Sequence, residues 1–290
     1  MNCNFLLLTV VFRILLIANY PSRVNKFKLI AAVVIAASVL AGCSGYEKIL
    51  KSKDNELKYS KALYYYNKSD FYHASLLLEQ ILPIYRGTNR ADTVNYYYAY
   101  SQYGQGDYLL ASSYFDSFRK NFPKSGFTEK AEYLYAYCFY LTSPRYELDQ
   151  DNTNLAIDAF QEFISKYPQS KKVDDAKKLI KELFQKLEEK EFKSAWLYYH
   201  TENYKAAIIA LQNSLKDYPN SEYREEEEFL ILKSAYIYAS NSVVQKQKER
   251  YQSAVDYYYN FIAEFPDSKY IKEAQKMYDV ATKDLKTTNK

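Results

Sequence analysis

The sequence predicts an all-α fold, a solenoid of about five helical hairpins, and three observations predict it. First, Ala111, Ala156, Ala207 and Ala254 are each followed twelve residues later by proline (Pro123, Pro168, Pro219, Pro266), with Phe or Tyr before the proline and Ser two residues after it. Second, a bulky residue stands four positions after each alanine (Phe115, Phe160, Leu211, Tyr258), the spacing that shares one face of a helix. Third, another small residue precedes the first by twelve positions in Ala99–Ala111 and Ala195–Ala207, which gives each unit two helices of similar length.

The chain opens with a segment of a different kind. Lys26 and Lys28 precede an uncharged apolar run from Leu29 to Val39, and Leu40-Ala41-Gly42-Cys43 follows. A basic n-region, a short apolar h-region and small residues at a cut site make a secretory signal, and 11 apolar residues are too few to span a bilayer. The pattern resembles the signal of bacterial lipoproteins. That resemblance implies cleavage before Cys43, a diacylglycerol on its thiol and a palmitate-type acyl chain on its freed amine. Residues 1–42 are therefore read as pre-sequence, with translation starting either at Met1 or near residue 24, and residues 43–54 as a lipidated tether. The alternatives are an ordinary cleaved signal or an uncleaved N-terminal helix.

The hairpins follow. Unit one pairs Ala62 with Ala74 and has Arg86 where the proline would stand; unit two pairs Ala99 with Ala111. Units three and five space their alanines by 20 and 19 (Ala136–Ala156, Ala235–Ala254), which implies insertions containing Ser143-Pro144-Arg145-Tyr146 and Ser240-Asn241-Ser242. Unit four returns to twelve. Small residues let paired helices approach closely, large ones fill the gaps, and proline cannot continue the second helix. Asp70-Phe71, Asp107-Tyr108 and Asn203-Tyr204 mark the turns inside the three uninserted units, so Gly104-Gln105-Gly106 reads as a hairpin turn, not a phosphate loop. The unit resembles the tetratricopeptide repeat. Residues 55–130 are assigned to repeats one and two and residues 131–290 to repeats three to five, as one continuous solenoid whose concave face takes extended peptides or partner helices.

Composition narrows the function classes. Residues 1–42 carry Arg13, Arg23, Lys26, Lys28 and no acid, so the 39 basic and 35 acidic residues of the chain become 35 of each after cleavage. A neutral, interspersed surface offers no broad footprint for nucleic acid. With Cys3 in the pre-sequence and Cys43 lipidated, Cys138 is left alone among aromatic residues, as a buried thiol rather than a disulfide partner or nucleophile. His73 and His200 lack companions for a metal site, and the acidic runs Glu188-Glu189-Lys190-Glu191 and Glu225 to Glu228 suit helix surfaces and a helix N-terminus. The expectation is a binding protein, not an enzyme, with no cofactor beyond the covalent lipid on Cys43.

Tyrosine is the oddity, at 34 residues, with runs at 64–66, 96–98 and 257–259. Positions three before, one after and four after the small residue of each first helix are taken to face the groove: Tyr59, Leu63 and Tyr66 in unit one, Tyr96, Tyr100 and Tyr103 in unit two, and Phe192, Trp196 and Tyr199 in unit four. An aromatic concave face suits extended, aromatic-bearing ligands, while interhelical packing is the competing role for each ring.

Asp107-Tyr108-Leu109-Leu110-Ala111, Ser143-Pro144-Arg145 with Ala156-Ile157-Asp158-Ala159-Phe160, and Leu187-Glu188-Glu189-Lys190-Glu191 before Tyr198-Tyr199 carry a more specific likeness. With the lipobox and five repeats, they make the chain similar to the BamD family of outer-membrane protein assembly lipoproteins. The resemblance implies a lipoprotein of the outer membrane facing the periplasm. It further implies that the N-terminal repeats receive unfolded outer-membrane β-barrel proteins and that the C-terminal repeats dock on the BamA-type barrel insertase. Ser44 after the lipidated Cys agrees with outer-membrane sorting. The alternatives are another periplasmic tetratricopeptide lipoprotein that scaffolds cell-envelope enzymes, and a lipid-anchored enzyme on a helical-repeat scaffold.

Overall fold

The structure is a computed structural model, and it describes residues 45–287. Cys43 and the pre-sequence lie outside the described residues. Two compact units divide between Ile84 and Tyr85.

The first unit contains a short helix over 45–50 and one hairpin, α1 (Asn55–Asn67) and α2 (Phe71–Ile81). Asp54 caps α1 by accepting from the Leu57 amide at 2.9 Å, and Asp70 caps α2 through the His73 amide. Ala62 and Ala74 are both fully buried where the two helices meet.

The second unit contains α3 (Ala91–Gly104), α4 (Tyr108–Asn121), α5 (Thr128–Thr142), α6 (Asp151–Lys166), α7 (Val173–His200), α8 (Tyr204–Asp217), α9 (Arg224–Ser240), α10 (Val244–Glu264) and α11 (Ile271–Thr287). Each helix packs on the next in the chain, as in a tetratricopeptide-like stack. The paired alanines of units two to five are 3% exposed or less, and the bulky residues four positions after the second of each pair (Phe115, Phe160, Leu211, Tyr258) are buried. Helices α4 and α5 share one core through Ala111, Phe115, Ala131 and Cys138, so the division expected at residue 130, which falls inside α5, is not a break between compact units.

The proline motif builds one turn four times. Helices α4, α6, α8 and α10 end immediately before the aromatic residue, whose amide still reaches back four residues. Proline then follows, and Ser125, Ser170, Ser221 and Ser268 each donate a backbone N–H to the carbonyl of that aromatic residue. The Ser hydroxyl accepts the amide two residues on, which aims the chain into the next helix. The uninserted hairpins share a second turn: Asp70, Asp107 and Asn203 donate five residues back, as in a Schellman ending. Its left-handed residue is Gly106 at φ 85° in unit two but Ser69 at 58° and Glu202 at 61° in the others, where a side chain tolerates a mild strain.

Two features depart from five equal hairpins. Helix α7 runs 28 residues without Gly or Pro; its first half packs Ala176 and Leu183 into the core of unit three and its second half Phe192 and Ala195 into unit four. The insertion of unit five lengthens α10, whereas that of unit three is an ordered loop in which Gln150 donates to the carbonyls of Arg145 and Leu148. Helix α11 closes the end by burying Ala274, Met277 and Ala281.

Candidate functional site

In the first unit, Tyr59, Leu63 and Tyr66 lie half-buried on α1, and Tyr66 meets Phe71 edge-on at 5.7 Å. In the second unit the same register on α3 gives Tyr96, Tyr100 and Tyr103. Tyr96 corrects the expectation of a groove position: it is 4% exposed, stacked on Phe127 at 4.5 Å and packed against Phe115 and Phe118. Phe192 repeats this, 2% exposed and stacked on Tyr223. At Tyr96 and Phe192 the position three before the small residue therefore meets the entry to the next hairpin, and its ring is a packing element.

The other two positions stay half-buried. Tyr100 and Tyr103 lie 5.5 Å apart, and Tyr103 reaches Tyr137 of α5 at 6.4 Å. Tyr137 then stacks between Tyr133 at 5.9 Å and Tyr140 at 5.5 Å. Tyr133, Tyr137 and Tyr140 hold the same register relative to Ala136, so the rule that named the residues of α3 also reaches this stack once applied to unit three. The result is a continuous aromatic track along the first helices of units two and three.

Burial, then the neighbouring Tyr137 and Tyr100, pushes the Tyr103 phenol up to about 12. For Tyr140 the hydrogen bond to Glu182 at 2.8 Å, followed by burial, has the same effect, to about 12. Both phenols remain protonated donors at neutral pH. The track ends at a cleft of about 320 Å³ lined by Tyr140, Leu141, Ser143, Glu182, Leu183 and Lys186. Lys186 donates to Ser143 Oγ at 2.6 Å, and burial lowers its ammonium below the usual lysine range. On α7, Trp196 is half-buried and lies against His200 at 3.4 Å.

Elsewhere, Cys138 is 1% exposed, and burial alone raises its thiol to about 12, which keeps it from acting as a thiolate. His73 is bonded through Nδ1 to Asp70 at 2.7 Å. Among the described residues, no group of three or more His, Cys, Asp or Glu could hold a metal ion, and no helix is long and apolar enough to cross a membrane.

The paired alanines, repeated proline turns and stacked hairpins define a tetratricopeptide-like helical-repeat protein. The family model for YfiO, described as outer membrane lipoprotein, matches residues 51–239, and the chain belongs to that family. The chain is similar to the outer membrane protein assembly factor BamD of Rickettsia prowazekii (strain Madrid E), with 23% identity over 256 residues covering 86% of this chain and 96% of the relative. Among solved structures, it resembles the TPR2AB domain of yeast Sti1 in its pHSP90 complex, with 12% identity, a TM-score of 0.37, and coverage of 79% of this chain and 98% of that one. The TPR domain of P58(IPK) gives 17% identity, a TM-score of 0.37, and coverage of 94% and 66%.

Proposed function

We propose that this protein is a lipid-anchored, periplasm-facing scaffold of outer-membrane β-barrel assembly that receives unfolded barrel proteins and docks on a BamA-type insertase. It does so without a cofactor, through its repeats and the acyl chains on Cys43. Family membership and the name of the Rickettsia relative support the assembly role. The observation that carries substrate binding is the aromatic track. Alternate side chains of an extended strand lie roughly 6.6 to 6.8 Å apart, close to the 5.5 to 6.4 Å steps between Tyr100, Tyr103, Tyr137 and Tyr140. A strand with apolar residues at every second position can lay one ring or aliphatic side chain per step, and the Tyr103 phenol, a protonated donor, can bond its backbone.

The test uses the detergent-solubilised lipoprotein and peptides of alternating apolar residues ending in an aromatic one. Replacing Tyr100, Tyr103, Tyr137 and Tyr140 by Ala, with Tyr96 retained, should cost about 2 kcal/mol or more of binding if any ring is a hot spot. Circular dichroism checks that the variant is folded. Unchanged affinity in a folded variant would refute the track, and co-purification with cell-wall enzymes instead of an insertase would refute the assembly role.

A further inference from the structure

Only Ser44 and Gly45 separate Cys43 from Tyr46, and Tyr46 is fixed to the first hairpin. Its ring meets Tyr65 at 5.4 Å and His73 at 4.1 Å, and its hydroxyl donates to the His73 carbonyl at 3.0 Å. Tyr64 stands edge-on to Tyr65 at 5.5 Å and Tyr72 edge-on to His73 at 5.5 Å. The five rings form one contiguous patch where α1 turns into α2. Its inner members cover one another, but the outer two are more than half exposed, Tyr64 at 53% and Tyr72 at 56%.

Charge near the patch is in keeping with its position. Lys68 is exposed in the turn itself, Lys61 lies over the Tyr64 ring at 5.4 Å, and Lys48 is exposed two residues after Tyr46. Of the nearby acids, Asp70 is hydrogen-bonded to His73 and Glu47 pairs with Lys51 at 3.0 Å.

Tyrosine suits a boundary at which one end of the ring is apolar and the other wet, and it concentrates at the headgroup level of membranes. Chain length says which boundary is in reach. Three residue steps span at most about 11 Å, against a headgroup layer roughly 5 to 8 Å deep on each side of the hydrocarbon. A lipid on Cys43 therefore holds Tyr46, and the rings fixed to it, at the edge of the bilayer.

We propose that the aromatic end of the first hairpin, with Tyr64 and Tyr72 outermost, rests in the headgroup layer of the membrane that anchors Cys43. The occupant of the patch is the lipid surface, with lysines facing lipid phosphates. This second attachment fixes the orientation of α1 and α2 to the bilayer, which acyl chains on Cys43 alone would not do. The inference rests on the acylation of Cys43 in the proposed function.

Full-length lipoprotein carrying Tyr64→Cys, Tyr72→Cys or, as a control on α8, Ile209→Cys is labelled with an environment-sensitive fluorophore. Cys138 is buried and does not compete for label. The three proteins are reconstituted into vesicles of phosphatidylethanolamine and phosphatidylglycerol doped with headgroup-nitroxide lipid. Labels at 64 and 72 should shift to the blue and be quenched several-fold more strongly by the nitroxide lipid than the label at 209, while iodide quenches them less. The mass of the N-terminal peptide reads acylation separately: an unmodified Cys43 would refute the anchor itself. With Cys43 acylated, equal quenching at all three sites would overturn the proposal. So would protection at 64 and 72 that requires an added protein, which would make the patch a protein-docking face.

Discussion

Tyr96 lies flat on Phe127, with ring centroids 4.5 Å apart and planes 15° apart, although 31 residues separate them in the chain. The contact joins the first helix of one hairpin to the entry of the next. Phe192 on Tyr223 (4.5 Å, 8°) and Phe229 on Tyr270 (4.2 Å, 6°) repeat it further along. At the remaining junction Lys172 occupies the equivalent entry position and sets its ammonium 5.2 Å over the Tyr133 ring. In every case the second partner stands two residues after the Ser of the proline turn, so that turn also delivers the residue that locks one hairpin to the next.

Tyr96→Ala should accordingly lower stability, by about 3 to 5 kcal/mol as for a buried aromatic truncation, whereas Tyr100→Ala at a half-buried position should cost clearly less. Urea titration of each variant followed by far-ultraviolet circular dichroism measures the difference. Equal midpoints for the two variants would refute the role given to the Tyr96–Phe127 stack.

Ala111→Trp or Ala207→Trp places a large ring where two helices meet with no exposed surface at either alanine. Overpacking typically costs about 1 to 3 kcal/mol, and more where backbones must separate. Coupling in a repeat stack is between nearest neighbours, so amide hydrogen exchange should accelerate most in the altered hairpin and those beside it. Uniform acceleration across the second compact unit would contradict that expectation.

The alanine and proline spacing made the hairpins, their turns and their tight contacts legible, because each depends on residues within one helical pair. Helix α7 was harder to read. Nothing between Pro168 and Thr201 breaks a helix, but the stretch is longer than one repeat helix, and only packing into two cores shows that a single helix serves both. The candidate site was legible as a register and not as exposure: the rule placed Tyr96, Tyr100 and Tyr103 on one face. Which ring is covered depends on Phe127 and on the rotation between successive hairpins. Tyr133, Tyr137 and Tyr140 obey the same rule, and their stacking is a tertiary fact.

A charged cluster ties α4, α5 and α6 together. Arg119 donates to Asp116 at 2.8 Å and to Glu132 and Glu162 at 3.1 Å, its guanidinium lies 4.5 Å over Tyr135, and Lys166 joins Glu132 at 3.0 Å and Glu162 at 2.6 Å. For Asp116, burial opposes ionisation, but the bonds from Lys120 and Arg119 outweigh it; for Glu162 the bond from Lys166 leads; both carboxyls end below their usual range. Carboxyls lowered on folding contribute stability above their unfolded pKa and lose it as pH falls through the folded one. Arg119→Met should cost about 2 to 4 kcal/mol at neutral pH, since it removes the cation shared by Asp116, Glu132 and Glu162, and the penalty should shrink below about pH 4 as Asp116 and Glu162 protonate. A penalty that stays constant down to pH 3 would refute this origin.

Glu227 gives the opposite slope. It is fully buried on α9, and neither carboxylate oxygen has a hydrogen-bond partner. Burial pushes its carboxyl up to about 7; Ser214 and Arg224 pull the other way without completing a hydrogen bond, and Glu188 and Glu228 add to the rise. A carboxyl raised on folding costs nothing below its unfolded pKa, becomes increasingly destabilising as pH climbs toward the folded value, and carries its full penalty above it. The window here runs from about pH 4.5 to 7, and the shift corresponds to a penalty on the order of 3 kcal/mol. Glu227→Gln keeps the shape and removes the charge, so it should stabilise the protein at pH 8, have little effect at pH 4, and flatten the decline between them. Thermal unfolding of both proteins across that range measures the difference. A Gln variant no more stable than wild type at pH 8 would show that Glu227 is ionised and solvated in the folded chain, and that α7, α8 and α9 do not seal it from water.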